Sequence, residues 1–357
     1  MSLRAQAPGR RRLAPGLQPG LPIFVPAAGI PGRVTIEAST PCSAPFDGDD
    51  WLFSVDWEGS RCLLVADADG SIRLQGENAP LGHRYPEIVA AASFFGGRTA
   101  ILDGTICMLD GQGRPDLAAL FRRAVSRQAG PSAVYLVTDV LHLDGESMTE
   151  RPLLARMATL GDLIPAESRI QLPDHVIGHG RALAAAASER GLAAMLARRQ
   201  DACYLAGMAS PDRLRIPLSM RRNAVVVGWR ASASGARVVL GDWTLGRLGL
   251  VGTAVVDDPA ARRWLAATAE PTADAVDEAA AVGPGVTWAR PRLVATVDPA
   301  PRGHGGDVLP EWRLVALRDD VDQTWCVRRP PVGPPQASAH QPLRPFSPTV
   351  LSPLPMS

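Results

Sequence analysis

The chain has 357 residues, 46% hydrophobic and 20% charged, which is enough for two domains with real cores, and its formal net charge of +1 gives no overall nucleic-acid footprint. All 37 basic residues counted as Lys plus Arg are arginine; a guanidinium stays protonated and has no free lone pair, so a lysine nucleophile, a lysyl Schiff base and a phosphate-loop lysine are all excluded. No apolar run is long enough to cross a bilayer, no signal-like segment stands at the start, and five singly scattered cysteines suit a reducing compartment, so a cytoplasmic protein without membrane contact is expected.

Residues 1–25 and 331–357 are rich in Pro, Gly and Ser and lack apolar periodicity, which predicts disordered tails at both ends. From Trp51 the pattern is strand-like and punctuated by turns: WLFSVDW, then RCLLVADADGSIRL turning at Asp69-Gly70, then TAILDGTICMLDGQGRP turning at Asp110-Gly111. These read as antiparallel hairpins. Helices are predicted over PEIVAAA, PDLAALFRRAVSRQ and RALAAAASERGLAAMLARRQ, the last from its alanine and arginine content. Strands and helices in this mixed order predict an α+β fold over residues 26–222.

Residues 223–330 differ. NAVVVGWRA, ARVVLGDW, GRLGLVGTAVV, WARPRLVATVD and EWRLVALRDD are short strands at intervals, with one helix over DPAARRWLAATA and a loop or weak helix over 270–286. That pattern suits a small Greek-key barrel such as an OB-fold.

Few residues stand out as chemistry on their own. Asp103 and Asp139 could pair for acid/base work, but are better read as strand-end residues bonding local backbone. His175 and His179 lie four apart in a Gly- and Pro-flanked stretch, and no metal site is expected there. The pairs Arg122-Arg123, Arg198-Arg199, Arg221-Arg222 and Arg262-Arg263 each read as solvated charge, although several on one surface would contact DNA phosphates.

A collinear series of motifs carries a resemblance to a family. Ser54 to Arg61 (SVDWEGSR) resembles the Lys-x-Asp-Gly-x-Arg motif of ATP-dependent DNA ligases, and Ile101 to Ile106 (ILDGTI) resembles their Leu-Asp-Gly-Glu strand. Leu109 to Pro115, Tyr135 to Leu141, Asp144-Gly145 and Arg151 to Leu154 follow in the family's order. Gly191 to Arg199 resembles Glu-Gly-x-Val-Ala-Lys, Ser210 to Pro217 resembles Trp-Leu-Lys-x-Lys, and Gly249 to Thr253, Trp288 to Val294 and Leu317 to Asp320 resemble the second-domain strands and final motif. The resemblance covers residues 40 to 330 and implies an adenylation-type nucleotidyltransferase domain followed by an OB-fold domain. It also implies ATP and Mg²⁺ as cofactors, nicked or broken duplex DNA and a repair protein as partners, and a monomer.

The departures from that pattern decide the expected function. Asp56 stands at the lysine that attacks ATP, so covalent lysyl-AMP is excluded. Thr105 and Ala193 stand where the family has glutamates supporting ribose and metal, and Thr138 replaces the aromatic that stacks on adenine. Arg215 keeps a charge at the first lysine of Lys-x-Lys, Pro217 removes the second, Val321 follows Asp319-Asp320 where a lysine is usual, and Glu77 replaces an arginine. Arg61 is retained. The resemblance therefore implies a catalytically inactive ligase-like protein that uses no cofactor productively, with Arg198, Arg199, Arg221, Arg222 and Arg318 as candidate DNA contacts. An enzyme with a non-standard nucleotide site and a scaffold without DNA binding remain the alternatives.

Overall fold

A computed structural model describes residues 22–24, 33–126, 133–166, 168–232, 235–300, 309–327 and 331–335. Two sheets and a closed barrel organise the chain. In the first sheet the strand order is Ile170–Gln171, Val134–Leu143, Ala100–Cys107, Ser60–Ala66 and Ile72–Gly76, with Glu146–Ser147 added beside Val134–Leu143. The second sheet runs His175–Gly178, Gly48–Val55, Ala194–Arg199, Ala209–Pro217 and Ala38–Pro41. The fold is α+β, as the sequence predicts.

Strand periodicity puts alternate side chains on opposite faces. On the first sheet Cys62, Leu64 and Leu102 pack with Tyr85, Ile88 and Phe121 from the helices Pro86–Ala91 and Leu117–Ser126 and the turn before them. Leu63, Val65 and Ile101 face the other way and meet Ile36 and Tyr204. The second sheet buries Phe53, Met195, Ala197, Leu214 and Ile216 on its far side, where Phe46 and the helix Gly180–Glu189 cover them. What remains between the sheets is the inner face of each.

Arg222–Ser232, Gly235–Thr244, Arg247–Val256, Glu311–Arg318 and Thr287–Pro299 close the barrel in that order, each overlapping one of the five strands the sequence predicts. Pro259–Thr268 is the predicted helix, started by Pro259 and capped by Asp258, whose carboxylate accepts from Ala260 N and Ala261 N. Residues 270–286 form a loop with a single short turn of helix at Ala279–Ala281. Edge-to-face packing of Phe121 on Trp264, with ring centroids 5.4 Å apart, joins the helix Leu117–Ser126 to the barrel's helix.

Three expectations are corrected. The segment 181–200 is a helix only to Glu189; Gly191 takes φ +71° and Ala194–Arg199 is a strand between two others. Alanine content favours helix locally, but a left-handed glycine and pairing on both sides outweigh it. The helix Leu153–Leu163 has no counterpart in the elements predicted from sequence. Of the predicted tails, Pro22–Phe24 pairs antiparallel with Arg33–Thr35, and Val332 returns to the second sheet, donating to Pro41 O and accepting from Ser43 N, both at 2.9 Å. Residues 1–21, 25 and 336–357 of those tails lie outside the described residues. Among the described residues no helix is long and apolar enough to cross a membrane.

Candidate functional site: an arginine-rich cavity between the sheets and the barrel

The inner face of the first sheet carries Arg61, Asp103 and Thr105, and that of the second carries Leu196, Arg198, Arg213 and Arg215, each alternating with a core residue. These faces enclose a cavity of about 580 Å³, lined among others by Arg61, Thr105, Thr138, Leu196, Arg213 and Arg215. The turn after Gly48–Val55 adds Asp56, Trp57 and Glu58, and the barrel adds Arg221, Arg222, Arg318 and Asp320. Residues 220 or more apart in sequence thus share one space.

Nearly every charge in this cavity is met by an opposite one. Asp56 accepts from Arg215 Nε at 2.6 Å, so the carboxylate at the nucleophile position is tied to the arginine expected to face a phosphate. Glu58 accepts from Arg221 Nη1 at 2.8 Å, and Arg221 also grips Asp298 at 2.8 and 3.0 Å. Burial raises the Glu58 pKa and Arg221 only partly counters it. Arg222 pairs with Asp242. Arg61 holds Asp103 through Nε and Nη2 at 3.1 and 2.6 Å; burial works to raise the Asp103 pKa, but this arginine pulls it below the usual range.

Asp103 and Asp139 are not strand ends. They sit mid-strand, face each other in register across Ala100–Cys107 and Val134–Leu143, and are fully buried. Asp139 is held by Arg156 Nε at 2.6 Å and Nη2 at 3.0 Å. Their arginine partners lie 42 and 17 residues away, which a local sequence reading has no means to pair.

The barrel closes the cavity with residues 318–322. Arg318 binds Asp320 with two hydrogen bonds of 2.6 Å and donates to Gly59 O at 2.7 Å. Gly59 itself lies hard against the strand Ala100–Cys107, where a Cβ would lie 2.2 Å from Ile106 O. Ser60 donates to Asp320, Arg84 grips Asp319 at 2.9 and 2.7 Å, and Asn78 donates to Asp319 O and Val321 O. Glu77 accepts from Asp322 N at 3.1 Å.

Glu77 makes this closure pH-dependent. Burial pushes its pKa from 4.5 up to about 7, against the lowering effect of the Asp322 N–H. Between those values the folded chain binds more protons than the unfolded one, so this group's contribution is full below 4.5 and is lost as pH rises toward 7. Glu77→Gln is expected to be about 1–2 kcal/mol more stable than the parent at pH 8 and equal to it near pH 5. Urea denaturation at both pH values checks this; an equal difference at both would contradict it.

Of the other predicted residues, Ala193 is buried beside the cavity's second sheet, where its carbonyl accepts from Leu218 N and Ser219 N. Thr138 lines the cavity and donates to Asp103 O. Arg198 is 4% exposed and donates to Thr138 O, and Arg318 is 5% exposed, so neither reaches a surface that duplex DNA could touch. Arg199 is half-buried and paired with Asp201. Arg221 and Arg222 are held by acids as above. Arg213, which lines the cavity, escaped notice in the sequence; its alternation with Leu214 was the available signal.

Comparison with known proteins bears on this geometry. Residues 40–212 match the ATP dependent DNA ligase domain family. The chain is 27% identical over 308 residues, 80% of its own length, to the multifunctional non-homologous end joining protein LigD of Pseudomonas aeruginosa, and spans 36% of that protein. It is 25% identical over 173 residues, 48% of its length, to the SPbeta prophage-derived DNA ligase-like protein LigB of Bacillus subtilis, of which it covers 63%. The fold is like that of a mycobacterial DNA ligase D complexed with ATP and MES, with a TM-score of 0.58 at 22% identity over 83% of this chain and 98% of that one.

The family uses ATP and Mg²⁺, and the carboxylates present do not fit the metal. Asp56, Glu58 and Asp320 are each held by an arginine, Glu77 is engaged by a backbone N–H, and Thr105 and Ala193 offer no carboxylate. Among the described residues no group of three His, Cys, Asp or Glu side chains could hold a metal ion.

Proposed function

Since the chain belongs to the ATP-dependent DNA ligase family, we propose that it is a pseudo-ligase: it keeps the two-part architecture, forms no covalent adenylate, and serves as a module that binds DNA ends, nicks or a repair partner. The observation that carries this reading is the 2.6 Å ion pair of Asp56 with Arg215. Attack on the α-phosphate of ATP needs a neutral amine. A carboxylate at that position repels the triphosphate, and its bond to Arg215 withdraws the nearest guanidinium from any phosphate. Elsewhere the chain has no lysine to take over.

Relatives named for non-homologous end joining support a role in DNA repair. Phosphate contact would fall to exposed and half-buried arginines such as Arg199, whose pair with Asp201 a phosphate can replace, and to Arg221 and Arg222 where the barrel meets the sheets. The chain spans about a third of the P. aeruginosa relative.

The test is incubation of the purified chain with α-labelled ATP and Mg²⁺, with and without nicked duplex. No covalent label is expected, and none from Asp56→Lys either, because the new amine would face Arg215 with no carboxylate at 105 or 193. The unlabelled chain is expected to shift nicked duplex, less so as salt rises. Covalent label or nick sealing by the natural chain would sink the proposal; absence of any shift at low salt would leave a scaffold without DNA binding.

A further inference from the structure

Between the two sheets, four guanidiniums meet three carboxylates. Arg61 is paired with Asp103 and Arg156 with Asp139, each at 2.6 Å, which leaves Arg198 and Arg213 with Glu37. These two arginines are cross-strand neighbours in register on the same face of the second sheet. Both are 4% exposed.

Neither is satisfied. Arg198 donates to Thr138 O at 2.7 Å and approaches Asp139 only to 3.8 Å, and its Nε has no acceptor among the described residues. Arg213 donates from Nε to Ser39 Oγ at 3.2 Å, but its Nη1 stands 3.9 Å from Glu37, beyond hydrogen-bonding reach, and has no acceptor among the described residues. Burial raises the Glu37 pKa, and Arg213 counters this only in part, so the third carboxylate is the least firmly charged. Deprotonation offers no escape: burial and the nearby Arg213 lower the Arg198 pKa only to about 10. A buried cation whose carboxylate neighbour stands beyond hydrogen-bonding reach, as Glu37 does from Arg213, is costly for a fold to hold.

Of these two arginines, Arg213 is the one that lines the cavity. We propose that the inner wall of the cavity at Arg213 is an oxyanion site, which takes the phosphate-monoester or carboxylate group of a small ligand. Arg213 supplies the charge. Ser39, whose oxygen accepts from Arg213, has its hydroxyl proton left to donate. Val55, Leu136 and Leu196 supply apolar lining for the rest of such a ligand. A neutral purine, which brings no negative charge, leaves Arg213 as it is.

This inference deepens the preceding reading and rests on it, since a cavity occupied by an adenylate has no room for another acid. It is tested on the full chain by thermal unfolding and calorimetry with inorganic phosphate and, separately, acetate, at ionic strength held constant with sodium chloride. Saturable stabilisation by at least one of the two is expected. Arg213→Met is expected to weaken that binding by roughly 10- to 100-fold, the value of one charge-assisted hydrogen bond. The same substitution is expected to raise the melting temperature in anion-poor buffer, because it removes a buried charge that Glu37 compensates only in part. Arg213→Lys is expected to retain part of the binding. Absence of saturable stabilisation in the parent, or equal affinity in parent and Arg213→Met, would overturn the site. Uptake of label from α-labelled ATP, scored independently, bears on the adenylation reading and separates its failure from failure of the anion site.

Discussion

Asp139→Asn is expected to destabilise the chain by about 3–5 kcal/mol, the usual cost of breaking a buried ion pair by removing one partner. The carboxylate receives both Arg156 hydrogen bonds and the Val140 N–H, and stands 3.8 Å from Arg198. Loss of its charge leaves four guanidiniums against two carboxylates. Arg156→Met removes the other half of the same pair, together with bonds to Arg151 O and Ala202 O. Yet it should cost less than Asp139→Asn, because it lowers the local excess of positive charge instead of raising it. Urea midpoints of the two variants decide the matter. An Arg156→Met cost equal to or above that of Asp139→Asn would show that the excess positive charge is not felt.

Arg318→Ala is expected to have a comparable effect by another route, about 3–5 kcal/mol, and to split one unfolding transition into two. Its guanidinium bonds the carbonyl of Gly59 across to the sheet and holds Asp320, which in turn accepts from Ser60. Burial works to raise the Asp320 pKa, but Arg318 and Ser60 hold it below 3.8 in the parent. A depressed carboxylate contributes stability above its unfolded pKa that is lost as pH falls through the folded one. Without Arg318 that depression disappears, so the gap between variant and parent should narrow as pH is lowered below about 4. Differential scanning calorimetry across that range, read for the number of transitions as well as their temperature, is the direct check. A single transition at an unchanged temperature would mean that Phe121 on Trp264 and the remaining contacts suffice to hold the halves together.

The barrel was the most legible part of the sequence, because its strands are short apolar runs separated by turn residues and depend little on distant partners. Ala194–Arg199 was not legible. Its residues favour helix, and only the strands on either side, drawn from residues 48–55 and 209–217, make it a strand. The same limit governed the site. Asp56, Thr105, Thr138 and Arg215 could be placed by motif order, and they line one cavity. That Asp56 would be paired with Arg215, or that Arg198 would be buried under Thr138 rather than offered to DNA, depends on separations of 159 and 60 residues, which no local pattern reports.

Val332 gives the barrel a second attachment. The chain leaves the second sheet through Ala209–Pro217, whose Arg215 O accepts from Cys42 N, and comes back beside that bond, where Val332 bridges Cys42. Exit and return therefore emerge side by side, like the two ends of a loop of thread passed through one eyelet. A protease nick in the connection around residues 218–221 would not free the barrel, since the Val332 hydrogen bonds to Pro41 and Ser43 would still tie it to the sheet beside the Arg318 and Phe121 contacts.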